Sequence, residues 1–130
     1  MAPAGIAPAG ILISNTDDHP RNHAIIAKEQ NWHLSPVYDL IPANPISIER
    51  RDLALVCGDW GRFANAKNLL SQVSRFLLTI EQATKILDSM EAMIKQNWYR
   101  VCRNAGVTEK DCDLLKGSFI YPGFRYQIID

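Results

Sequence analysis

NTDDHPRNHAIIAKEQNWHLSPVYD, residues 15–39, decides how the rest of the chain is read. Its first nine residues hold Asn15, Asp17, Asp18, His19, Asn22 and His23, directly after the apolar run Ile11-Leu12-Ile13. Two imidazoles four apart invite a zinc reading, because that spacing puts both on one face of a helix. Pro20 lies between them, however, and no glutamate follows His19 to serve as general base. A His/Asp metal-dependent hydrolase is therefore the minor alternative. Asp17 and Asn22 carry a different logic. Phosphoryl transfer of the protein-kinase type uses a carboxylate to accept the substrate hydroxyl's proton. Five residues on it uses a side-chain amide oxygen to hold Mg²⁺, giving the spacing D-x-x-x-x-N. A second ligand is needed beyond a short hairpin, and Asp39 stands there. Mg²⁺ takes hard oxygen ligands and keeps some waters, so one carboxylate and one amide oxygen make a sensible protein share.

Between Asn22 and Asp39 the pattern is that of a β-hairpin. Short apolar runs at 24–27 and 32–34 are joined by the polar Lys28-Glu29-Gln30-Asn31. Pro36 biases the exit toward extended backbone, and Pro42 and Pro45 keep the next stretch irregular. A second small hairpin is expected from residues 46–48 and 53–56. Gly58-Asp59-Trp60-Gly61 reads as a turn. From residue 65 the signals become helical. Asn65 caps a short helix to about residue 74, with Leu69, Leu70 and Val73 turned inward. Thr79 and Gln82 form a capping box. The helix after it carries Ala83, Ile86, Leu87, Met90, Ile94, Trp98, Val101 and Ala105 as one apolar stripe, a core face rather than a partner face, ended by Gly106. Thr108 with Asp111 opens a last helix, and Phe119, Tyr121, Phe124 and Tyr126 are expected to pack down as a C-terminal anchor. The fold class is mainly α, with one or two short hairpins near the polar loop and then a helical bundle.

Bulk properties narrow the classes. With 130 residues the chain fits one small domain, and its 47% apolar and 22% charged content is that of a globular protein. Fourteen basic residues balance fourteen acidic ones and no Lys/Arg stripe dominates any segment, which argues against binding nucleic acid by displacing its counterions. Arg50-Arg51 is the lone basic doublet, beside Glu49 and Asp52, and reads as a solvated loop. Cys57, Cys102 and Cys112 form no CxxC pair, which points to reduced buried thiols and a cytoplasmic setting. Residues 1–10 repeat Ala-Pro-Ala-Gly and read as a flexible leader, with the folded domain over 11–130. No apolar run is long enough to span a membrane.

With these motifs on the page, the chain resembles the HipA-like serine/threonine kinases, toxins of bacterial toxin–antitoxin systems. NTDDHPRNH and the later WHLSPVYDL at 32–40 carry the resemblance, which continues through Asn68-Leu69-Leu70-Ser71 and Tyr121-Pro122-Gly123-Phe124. It implies a kinase-like C-terminal lobe with Asp17 as the catalytic aspartate, and Asn22 and Asp39 as Mg²⁺ ligands. His19 and Asn15 would support the loop, and Mg²⁺ and ATP would be the cofactors. One departure matters. Kinases also grip ATP with a glycine-rich loop and a strand lysine, and this sequence has seven glycines but no GxGxxG. The expectation is a C-terminal lobe alone, without its ATP-binding lobe. It would be inactive until a separate chain supplies that lobe, or else a non-catalytic remnant or binding module. Apolar surface at 11–13 and on the hairpin is then expected to meet that lobe, an antitoxin or a second copy.

Overall fold

The computed structural model describes residues 6–44 and 47–128 and is mainly α-helical. In chain order it has helix α1 Ile6–Leu12, hairpin strands β1 Ile25–Lys28 and β2 Asn31–Leu34, and helices α2 Ala66–Leu70, α3 Ile80–Asn104 and α4 Glu109–Leu115. Short 3₁₀ turns sit at Pro20–Asn22, Val73–Phe76, Lys116–Ser118 and Pro122–Arg125. No described helix is long and apolar enough to cross a membrane.

Local chemistry explains the element ends. Asn65 accepts from the Lys67 amide at 2.9 Å and starts α2. Thr79 and Gln82 satisfy each other's backbone donors at the head of α3, as the capping-box pattern requires. Gly106, at φ +87°, ends α3: its amide donates to Arg103 O, and that of Val107 reaches back to Cys102 O. These are the two bonds of a Schellman cap. Thr108 accepts from the Asp111 amide and opens α4. In the hairpin, Ile25 pairs with Leu34 and Lys28 with Asn31, around Glu29 and Gln30 at φ 50° and 66°. Two left-handed residues are what a two-residue hairpin turn of matching twist demands.

Three expectations change. Helix α1 begins at Ile6, so residues 6–10 belong to the fold and not to a leader; residues 1–5 lie outside the described residues. Pro8 is tolerated because it falls in the first helical turn, where its missing N–H has no partner to lose. The second hairpin is reduced to two isolated bridges, Asp52 with Phe63 and Gly58 with Gly61, instead of strands at 46–48 and 53–56; residue 46 lies outside the described residues. Only part of the α3 stripe is buried. Ala83 and Leu87 are in the core and Met90 and Ile94 pack against it, but Ile86 and Val101 are exposed.

The core joins Ile11 and Leu12 of α1 to Leu53, Cys57, Ala64, Ala66 and Leu87, and to Tyr121 and Phe124 of the tail. Ile11 and Leu12 are thus covered by the chain's own residues, which removes them from the surface expected to await a partner. The hairpin is the opposite, exposed at all eight strand positions. Of the expected anchor, Tyr121 and Phe124 are buried, Phe119 stacks on Trp98 at 4.8 Å, and Tyr126 is largely exposed.

Candidate functional site

The loop begins where α1 stops. Ser14 adopts φ 59°, and the amides of Ser14 and Asn15 close the helix by donating to Ile11 O and Gly10 O. The turn Pro20–Asn22 starts on a proline, whose missing donor is no loss at a helical first position. That turn is 3₁₀, so the four-residue spacing of His19 and His23 does not place them on one α-helical face. His23 instead sets Nε2 2.9 Å from Asp18 Oδ1, a close contact without hydrogen-bond geometry, with both side chains mostly buried. Among the described residues no three His, Cys, Asp or Glu side chains gather into a metal cluster, and nothing supports the zinc hydrolase reading.

Asn22 is buried, and its Nδ2 donates to the Asp17 backbone carbonyl at 3.4 Å. With the nitrogen committed there, Oδ1 is the amide atom left to ligate another group. Across the loop, Tyr38 Oη donates to Arg21 O at 2.7 Å and draws the hairpin's exit against the turn. Asp39 follows at φ 57°, a left-handed conformation that aspartate tolerates better than most residues. The chain then returns, and Ala43 N–H donates to Ser14 O at 3.1 Å. Asn15, Thr16, Asp17, Asp39, Ile41 and Ala43 together line one hollow of about 210 Å³. Of the residues singled out in the sequence, Asn15, Asp17 and Asp39 therefore meet there. Asn22 and His19 are both off the lining: Asn22 reaches the loop only through the Asp17 backbone carbonyl, and His19 Nδ1 is buried and unpartnered.

The carboxylates of Asp17 and Asp39 and the side-chain amide of Asn15 at one hollow are hard oxygen donors, a type that suits Mg²⁺ better than a softer metal.

Sequence reading missed what holds the loop in place. Arg51 is buried, not solvated; only Arg50 behaves as a surface residue. Its guanidinium donates to Ser47 O at 2.9 Å, to Gly117 O at 2.8 Å and to Ser14 Oγ, and lies 4.2 Å from the Tyr121 ring centre. Ser14 Oγ in turn donates to Ser118 O at 2.6 Å. Burial pushes the Arg51 pKa down and the Tyr121 phenol up to about 12, so Tyr121 remains a donor, to Ala64 O. No local pattern in the sequence marks Ser14 or Arg51, since each acquires its partners from far along the chain.

A family model described as the HipA-like C-terminal domain matches residues 7–98. The chain belongs to that family. The comparisons found no curated protein and no solved structure that matches. Within the HipA-like match lie the polar loop, the hairpin, Asp39 and Arg51. The tail residues that hold Ser14 and Arg51, from Gly117 to Tyr121, lie beyond it.

Proposed function

We propose that this HipA-like domain carries the metal-binding and proton-accepting side of a protein serine/threonine kinase site. Asp17 accepts the proton of the acceptor hydroxyl, while Asn22 Oδ1 and Asp39 are the ligands that would hold Mg²⁺. Mg²⁺ bound there would neutralise negative charge on the phosphates of ATP. Asn22 Nδ2 keeps Asp17's backbone fixed, and Asn15 and Thr16 complete the wall beside it. The observation that carries this reading is the meeting of Asp17 and Asp39 in one hollow, from opposite sides of a hairpin that spaces them.

A second reading, a folded binding module without phosphoryl transfer, has one observation in its favour. The hollow is about 210 Å³, below the roughly 300–1,000 Å³ of small-molecule sites. That suits a hydrated metal with phosphate oxygens better than a whole nucleotide, so the rest of ATP would rest on a second lobe. The test is phosphate transfer from labelled ATP to a serine-bearing acceptor, with Mg²⁺, by the chain alone and mixed with a nucleotide-holding lobe. Transfer abolished by Asp17→Asn and Asp39→Asn supports the kinase reading. No Asp17-dependent transfer in any pairing leaves the binding module.

A further inference from the structure

We propose that Arg51 is a positioning residue that sets the spacing of Asp17 and Asp39 across the hollow, acting through Ser14. Ser14 is the point from which both walls hang. It precedes Asn15, Thr16 and Asp17 on one side, and its carbonyl accepts from Thr16 N–H at 3.0 Å. On the other side the same carbonyl accepts from Ala43 N–H at 3.1 Å, on the irregular segment that leaves Asp39. Ser14 is itself held at φ 59°, a conformation unfavourable for a serine, which persists only where its surroundings impose it. Those surroundings are Arg51 on one side of Oγ and Ser118 O on the other.

Arg51 is an unusual choice for a core position. It is 5% exposed, and its acceptors are two backbone carbonyls and a hydroxyl, all neutral. Among the described residues no carboxylate is ion-paired with it, and its other neighbour is an aromatic face. A buried charge met only by neutral groups is costly, and an apolar side chain of similar volume fills a core more favourably. Packing alone gives no reason for a guanidinium here. Its planar fork does: Nε, Nη1 and Nη2 reach three separate segments at once, which a lysine's single ammonium cannot do in fixed directions. The loop is thereby fastened to the segment at 47 and to the tail at 117–118.

The proposal rests on the hollow being the metal site, and the test separates the two. Arg51→Lys, Ser14→Ala and the exposed-neighbour control Arg50→Lys are prepared in the whole chain. Mn²⁺ affinity, as a Mg²⁺ substitute, is read by electron paramagnetic resonance, and amide exchange is followed at Asn15, Thr16, Ala43 and along α3. For Arg51→Lys the expected result is a Mn²⁺ affinity about 10- to 100-fold weaker, the usual cost of losing support behind metal ligands. Exchange should quicken at Asn15, Thr16 and Ala43 with α3 unchanged, and Arg50→Lys should be silent. If Arg51→Lys does not fold, Ser14→Ala decides, since it removes one acceptor and leaves the other Arg51 bonds. Folded variants with wild-type exchange at Ala43 overturn the proposal, as does a uniform loss of protection that includes α3, which marks a structural role only. A wild-type chain that binds no Mn²⁺ defeats the metal reading instead, while the exchange measurements still decide the role of Arg51.

Discussion

The β1–β2 hairpin and the tail at 117–125 use aromatic and aliphatic residues in opposite ways. Every strand residue of the hairpin is exposed, Trp32 at 70%, and among the described residues the two strands pair only with each other. The tail has no strand or α-helix, yet Tyr121 and Phe124 are the largest fully buried side chains among the described residues. Burial of large side chains is concentrated in the irregular segment, while the regular one stays on the surface. The Tyr38 bond to Arg21 O draws the hairpin's exit back against the turn that precedes it. The tail contributes the floor on which Ser14 and Arg51 sit.

Substitutions can break that contrast, the deepest first. Phe124→Ala should cost about 3–5 kcal/mol, the range for a fully buried phenylalanine, read as a shift in the urea midpoint. Gly123→Ala should cost about 1–3 kcal/mol by overpacking, because a Cβ there would stand 2.1 Å from Glu49 O, a backbone atom that cannot step aside. The tail's ion pair gives a smaller, pH-dependent effect. Burial works to raise the Glu91 pKa, but hydrogen bonds from Lys95 and Arg125 outweigh it and hold the carboxyl below its ordinary 4.5. A depressed folded-state pKa gives stability that is present above the ordinary value and lost as pH falls below it. Thermal melts should therefore hold level near neutrality and drop below about pH 4.5, and Glu91→Gln should flatten that drop. Least of all, Trp32→Ser on the hairpin should change stability by no more than about 0.5 kcal/mol. A large loss there, or a small one at Phe124, would reverse the roles of the two regions.

The same division marks what was legible in the sequence. The hairpin, its turn, the capping box at Thr79 and Gln82 and the Gly106 cap all depend on neighbours within a few residues, and the local pattern found them. The D-x-x-x-x-N spacing of Asp17 and Asn22 is equally local, and of those two residues the hollow gathers Asp17, together with Asp39. Helix α1 escaped because Pro8 argues against a helix everywhere except in a first turn. Arg51 and Ser14 escaped because their meaning lies in contacts to residues 117 and 118, far along the chain, and a basic doublet beside two acids looks solvated until that contact is seen. Glu91 sits on the apolar face of α3 for the same reason: its partner, Arg125, comes from the tail.

The most direct measurement of the shared site is a Mn²⁺ titration followed by paramagnetic broadening of backbone amides. Signals at 15–17 and at 39–43 should broaden together with one apparent affinity, and Asp39→Asn should weaken both sets alike. Broadening at 15–17 that survives Asp39→Asn unchanged, or that follows a separate affinity from 39–43, would contradict a single metal site shared by the 15–22 loop and Asp39.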